Sequence, residues 1–273
     1  MTTWVNGRIV GDDEPVITAY DHGLTVGDGV FETLKVVAGQ PFALTRHLDR
    51  MARSAAGLGL PFDAERVRAA VAETLEVSPD ATLRLRITLT GGPGPLGSER
   101  APSATTLIVA TAPMPSWGAT ADVVVSPWPR NERSPLTGLK TTSYAENVLA
   151  LHDAKARGGG EAIFANTVGS LCEGTGSNVF VEYEDQLVTP PLASGCLAGV
   201  TRALLLEWVP DVVEVDVPLD VLRTTTEAFL ASSTRDVQPI ATVDGERLQL
   251  APGPLTQRAA AVFAERAAAD LDP

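Results

Sequence analysis

Between residues 82 and 90 the chain reads TLRLRITLT, switching between apolar and polar at nearly every step. Leu83, Leu85, Ile87 and Leu89 fall on one side, and Arg84, Arg86 and Thr88 on the other. This is the period of a strand with one buried face. Its second face, with two arginines, is either solvated or the wall of an anion site. Upstream, Leu44, Leu48, Met51 and Ala55 recur at helical spacing, and the series closes at Leu58 before Gly59 and Pro61. A second amphipathic helix follows Phe62-Asp63, with Val67, Val71 and Leu75 along one side. Val30 to Val37 is rich in strand formers, TTLIVATA (105–112) is a further strand, and TWVNGRIV (3–10) reads as a hairpin closed by Asn6-Gly7. The Gly-rich segment GGPGPLGSERAPS after the 82–90 strand is a flexible loop or a substrate rim.

The pattern resumes after PMPSWGAT (113–120), a Pro- and Gly-containing connection. ADVVVSPWP predicts a strand. A helix is expected over 143–157, with Tyr144, Val148, Leu151 and Lys155 near one another. AIFAN (162–166) and NVFVE (178–182) read as strands, and QLVTP pairs with the latter around Glu184-Asp185. GCLAGVTRALLLEWV enters a helix near Gly199. DVVEVDV (211–217) predicts a strand, VDGERLQL (243–250) a hairpin at Asp244-Gly245, and 255–269 a helix carrying Leu255, Ala259, Val262 and Phe263. The expected organisation is a domain over 1–115, a linker at 116–120 and a larger domain over 121–273.

Of the 273 residues, 44% are apolar and 20% charged, a globular balance, and the net charge of -13 repels nucleic acid and anionic membrane. There is no uninterrupted apolar run of membrane-spanning length and no basic region leading into an apolar one, so the expected location is the cytoplasm. Two cysteines and three scattered histidines offer no spacing for a disulfide framework or a metal site.

Chemistry concentrates between Arg133 and Phe180. Lys140 follows Gly138-Leu139 and precedes Thr-Thr-Ser, in a stretch poor in charge. A lysine there is either ordinary surface or, where desolvation and cations depress its pKa, an amine that attacks a carbonyl. Without a cofactor such a lysine supports aldolase chemistry; with pyridoxal phosphate it anchors the aldehyde. The pyridoxal reading needs an acid for the ring nitrogen, and Glu173, in the loop-like LCEGTGSN, is the candidate. It needs backbone N–H groups for the phosphate, which Val200 and Thr201 offer at a helix start, with Ser232, Ser233 and Thr234 as a hydroxyl-rich loop. Tyr144 is the candidate donor to the ring oxygen.

In this order, GDGVFETLKV, HLDRMARSA, GLKTTSYAENVLA, LCEGTGSNVF, LAGVTR and SSTRDVQPI resemble the fold-type IV pyridoxal-phosphate enzymes over nearly the whole chain. That family includes branched-chain and D-amino acid aminotransferases, (R)-selective amine transaminases and 4-amino-4-deoxychorismate lyases. The resemblance implies a small N-terminal α/β domain and a larger C-terminal domain with a β-barrel-like core. It also implies a homodimer whose subunit interface completes the pocket. It assigns Lys140 to the Schiff base, Glu173 to the pyridine nitrogen, Tyr144 to the ring oxygen, and Arg50, Val200, Thr201 and Ser233 to the phosphate. Arg133 matches an arginine near the cofactor in several members. Phe31 and Thr33 fall in the strand that faces substrate.

The implied activity is transfer of an amino group from a D-amino acid, or an (R)-amine, to a 2-keto acid. The Arg-x-His pair that holds the carboxylate in D-amino acid enzymes is absent from LTGGPGPLG, and Arg86 is the preferred replacement. Thr33 matches the threonine of the lyases, which release pyruvate and 4-aminobenzoate, and that is the alternative. A branched-chain L-enzyme ranks third, and a non-catalytic pyridoxal-phosphate carrier lies outside these activities.

Overall fold

The computed structural model describes residues 1–77, 82–102 and 105–273. They form two compact units. The first is Met1–Pro115 with Leu139–Tyr144 and Leu271–Pro273; the second is Ser116–Gly138 with Ala145–Asp270. The fold is α+β, with the smaller unit N-terminal and a larger C-terminal unit built on a curled sheet, as the resemblance implied.

In the first unit the elements are β1 (Thr3–Val5), β2 (Arg8–Val10), α1 (His22–Thr25), β3 (Gly29–Val37), β4 (Gln40–Pro41), α2 (Leu44–Leu58), α3 (Ala64–Glu76), β5 (Leu83–Thr90) and β6 (Thr106–Pro113). The strands make one antiparallel sheet in the order β2-β1-β6-β5-β3-β4. Leu85, Ile87 and Leu89 bury their side with Leu34 and Val36 of β3, against Leu48 and Met51 of α2 and Val67 and Val71 of α3. The strand period therefore turns Phe31, Thr33 and Lys35 the other way, opposite Thr88, Arg86 and Arg84 in register. Helix α2 begins at Ala43, whose left-handed backbone and methyl side chain offer no cap. Asp272 supplies it instead, accepting from the Thr45 N–H at 2.8 Å. The glycine-rich segment after β5 is fastened rather than loose: Arg100 donates to Asp28 at 2.6 Å and the His22 ring meets the Pro95 carbonyl at 2.8 Å. Its last residue, Ser103, lies outside the described residues.

The second unit contains β7 (Ala121–Val125), α4 (Ala145–Ala156), β8 (Glu161–Ala165), β9 (Leu171–Gly174), β10 (Asn178–Tyr183), β11 (Gln186–Thr189), α5 (Val200–Trp208), β12 (Val213–Glu214), α6 (Val221–Thr224), β13 (Ala228–Ser232), β14 (Asp236–Val243), β15 (Glu246–Arg247) and α7 (Pro254–Ala269). The sheet runs β12-β11-β10-β13-β14-β7-β8-β9, with β15 paired to β14. Strands β14, β7 and β8 are parallel neighbours, so their N-terminal ends lie at one edge.

Three local expectations are corrected. The helix expected over 143–157 starts at Ala145, leaving Tyr144 outside it. Its buried side is Asn147, Ala150 and Ala154, while Val148 is 65% exposed. Alanines let the helix approach Val124, Ala162 and Phe164 closely, and the larger side chains turn outward. The strand expected at 211–217 shortens to Val213–Glu214 on the sheet edge. Glu173, expected in a loop, is within β9, paired with Phe164.

Candidate active site

Gly138, the last residue of its segment of the second unit, has φ 77°, a conformation that favours glycine, and Leu139 and Lys140 follow it in the first unit. Residues 140–142 then lie along the start of β3. The Lys140 N–H donates to Ser54 Oγ at 3.0 Å, its carbonyl accepts from the Phe31 N–H at 3.0 Å, and Thr141 bridges Val30. Both backbone groups of Lys140 are thus engaged, which fixes where its side chain starts. Its Nζ sits 4.4 Å from the Phe31 ring centre and 5.8 Å from that of Tyr144. Phe31 and Tyr144 meet edge to face at 5.3 Å.

Arg86 places its guanidinium carbon 3.8 Å over the same Phe31 ring. The lysine nitrogen and the guanidinium are therefore no farther apart than the sum of their two distances to that ring. Arg86 is exposed as a whole residue, but its charged end is packed down, and this desolvation lowers its pKa. Thr33 is the register partner of Arg86.

On the helix side of the same strand lies a cluster that sequence reasoning missed. Glu32, fully buried, accepts from Arg50 Nε at 2.8 Å and Nη2 at 2.6 Å, and its Oε2 lies 2.6 Å from His47 Nδ1. Burial pushes the Glu32 carboxyl up, but the charge and hydrogen bonds of Arg50, with His47, outweigh it and hold the group at about 2. Burial lowers the pKa of His47 against the pull of Glu32. The H-x-x-R spacing on one helix face was the available signal, and a glutamate at an inward strand position was the other half of it.

In the second unit, Glu173 is 9% exposed. Its Oε2 accepts from the Leu197 N–H at 2.9 Å, and its Oε1 lies 3.2 Å from Arg130 Nε, close enough for an ion pair but not aligned as a hydrogen bond. Arg130 also donates to Asn147 at 3.2 Å and stacks 4.3 Å over Phe164. The Arg133 side chain is 81% exposed beside Glu132. Two residues beyond Leu197, Gly199 begins α5. A Cβ there would come within 1.9 Å of Asn178 Oδ1, so only glycine fits. Gly199 brings no side-chain cap to the first turn formed by Val200 and Thr201. One hydrogen bond thus joins the buried acid to the segment leading into an uncapped helix start. Ser233 lies in the turn between β13 and β14.

Comparison with known proteins identifies the family. The family model for amino-transferase class IV matches residues 29–243. The chain belongs to the class IV aminotransferases, the fold-type IV pyridoxal-phosphate enzymes. A bifunctional aminodeoxychorismate lyase / D-amino acid transaminase of Mycobacterium tuberculosis is 32% identical, covering 97% of this chain and 96% of that protein. A D-alanine aminotransferase of Bacillus licheniformis is 28% identical, with 94% of each chain covered. The crystal structure of a branched-chain aminotransferase from Thermoproteus uzoniensis with norvaline superposes with a TM-score of 0.89 at 29% identity, over 97% of this chain and 94% of that one.

The residues of this class IV enzyme fit pyridoxal phosphate. An uncapped helix start whose glycine cannot carry a Cβ suits a phosphate, and a buried carboxylate fixed by a backbone amide suits a protonated ring nitrogen. Lys140, Tyr144, Phe31 and Arg86 come together in the first unit, with Thr33 the register partner of Arg86, while Arg50 lies on the helix side of β3 with Glu32 and His47. Glu173, Val200, Thr201 and Ser233 lie in the second, where Glu173 and the α5 start are linked. Among the described residues, no group of His, Cys, Asp and Glu is arranged to hold a metal ion, and no helix is long and apolar enough to cross a membrane.

Proposed function

We propose that this chain is a cytoplasmic, homodimeric transaminase that moves the amino group of a D-amino acid to a 2-keto acid. The class reaction is a pyridoxal-phosphate-dependent transamination run as two half-reactions from a lysine Schiff base. Pyridoxal phosphate, when bound, supplies a ring that withdraws electrons from the substrate α-carbon. Lys140 Nζ would be the covalent anchor, and its free amine would take the substrate α-proton and later return it. Glu173, steadied by the Leu197 N–H and Arg130, would hold the proton of the ring nitrogen. Val200, Thr201 and Ser233 would bind the phosphate, as would Arg50, which Glu32 orients. Tyr144 would donate to the ring oxygen.

The observation that carries the reading is the shared ring: Lys140 and Arg86 both ride on Phe31. In this reading the nitrogen that moves the proton and the guanidinium that holds the carboxylate share the Phe31 ring, on the side of β3 that carries Thr33. The likeness to D-amino acid and D-alanine transaminases supports the D configuration. Exposed Val148 and Leu149 on α4 offer apolar surface for a second copy. The test is keto-acid-dependent turnover of a D-amino acid panel, starting with D-alanine and 2-oxoglutarate and reading pyruvate. Absence of turnover across the panel ends this reading. The lyase is the second reading, favoured by Thr33 standing opposite Arg86; it predicts 4-aminobenzoate from aminodeoxychorismate.

Replacing Arg86 by leucine is expected to raise KM for D-alanine by about 10- to 100-fold, the worth of a charged hydrogen bond. An (R)-amine without a carboxylate should not suffer. Equal losses for both substrates would remove Arg86 from the role of carboxylate anchor.

A further inference from the structure

Away from the groups assigned so far, the second unit buries a second ion pair. Glu161 is 1% exposed, and the Arg235 side chain is 7% exposed. Arg235 Nη2 donates to Glu161 Oε2 at 2.5 Å, and Nη1 donates to Gln238 Oε1 at 2.8 Å. The guanidinium lies 3.9 Å over the Trp117 ring. The other oxygen of Glu161 accepts from the Thr175 hydroxyl and, at 3.2 Å, from the Gly176 N–H. Burial lowers the Arg235 pKa while Glu161 opposes it.

The topology explains why these residues meet. Glu161 opens β8, Arg235 immediately precedes β14, and Trp117 lies shortly before β7. These three strands are parallel, so their starts share one edge. Strand β8 runs antiparallel to β9, with Ile163 opposite Gly174, which carries Glu161 past the end of β9 into the turn after Glu173. Arg235 is two residues beyond Ser233, at the foot of the hairpin turn, where its N–H returns to the Ser232 carbonyl at 3.2 Å. The turn after Glu173 is pinned from its other side as well, by Asn147 donating to the Thr175 carbonyl at 2.6 Å.

We infer that the Glu161–Arg235 pair is a strut that sets the turn behind Glu173 against the turn carrying Ser233, and so positions the two ends of the cofactor grip. The inference rests on the cofactor roles proposed above for Glu173 and Ser233. Neither Glu161 nor Arg235 touches cofactor or substrate; both are positioning residues. A buried ion pair adds little net stability over an apolar pair of similar size, because both charges lose their water. Its value here is directional: each guanidinium and carboxylate edge is committed to a different segment.

The test is pyridoxal phosphate affinity, measured by titrating the cofactor-stripped full chain well below its melting temperature. Glu161→Gln keeps the acceptor for Thr175 and Gly176 but loses the ionic link. The double variant Glu161→Gln/Arg235→Met also removes the stranded charge, and covers the case in which the single variant fails to fold. Each is expected to weaken pyridoxal phosphate binding by about tenfold, the usual scale for losing a residue that orients a ligand-holding group. The double variant should melt close to the parent, and Glu161→Asp should recover part of the affinity. Affinity within twofold of the parent in the folded double variant overturns the strut. Glu173→Ala in the same titration separates the two levels: if it weakens binding and the double variant does not, the strut alone is wrong. If Glu173→Ala also leaves binding unchanged, the cofactor reading has failed.

Discussion

Replacing Lys140 by alanine is expected to lower turnover by about a thousandfold or more, because it removes both the covalent anchor and the group that moves the proton, and the second role alone commonly contributes 10²–10⁴. The same variant should lose the visible band of the lysine–cofactor linkage and resist borohydride tagging, which in the parent should label the peptide containing Lys140. Binding of pyridoxal phosphate should weaken but persist, since Glu173, Val200, Thr201 and Ser233 remain. Lys140 is fixed through Ser54 on one side and Phe31 on the other, and its Nζ lies over the Phe31 ring. Survival of both the band and turnover in the alanine variant would show that another lysine does the work.

Glu32→Ala is expected to cost about 4 kcal/mol, the scale for breaking a buried ion pair and leaving one charge unmatched, and to lower Tm by roughly 10 °C. Arg50, 4% exposed, would lose the acceptor of two of its hydrogen bonds. The pH dependence has a defined sign. The folded Glu32 carboxyl titrates at about 2, below its ordinary 4.5. Its stabilisation is therefore complete above pH 4.5 and lost as pH falls through 2, worth about 3 kcal/mol. His47 acts in the same direction. Burial holds its pKa below the ordinary 6.5, so its contribution is present above that value and declines as acid forces a proton onto the ring. Urea denaturation from pH 6 to pH 3 should show a falling stability in the parent and a flatter line in Glu32→Gln. Parallel lines would mean that the triad does not carry the acid sensitivity.

Much of the fold is written locally. TLRLRITLT specifies a strand and both of its faces, because period two leaves no other way to bury four aliphatic side chains. Asn6-Gly7, Glu184-Asp185 and Asp244-Gly245 close hairpins with the positive φ angles that such turns need. The turn between β13 and β14 was less visible, since it reaches a positive φ at Asp236 without a glycine. The α4 face was misread because its buried stripe is alanine, which hydrophobic periodicity weighs lightly.

At the site, residue types and order pointed to Lys140, Glu173 and the α5 start. Their supporting partners did not show. Arg130 meets Glu173 because β9 pairs with β8, which continues to Asn166 bridged with Arg130, and no local pattern records that pairing. Glu161 and Arg235 meet because three strands start at one edge. The pairing of Thr141 with Val30, which brings Lys140 beside Phe31, is likewise a tertiary fact.

The most direct test of the function is a single half-reaction. The pyridoxal-phosphate-loaded protein is mixed with D-alanine without a keto acid, and visible absorbance and pyruvate are followed together. With D-alanine the expected result is loss of the lysine–cofactor band with stoichiometric pyruvate, and with L-alanine a much slower change. An unchanged band with D-alanine and the rest of a D-amino acid panel, or a faster reaction with the L-enantiomers, would contradict it.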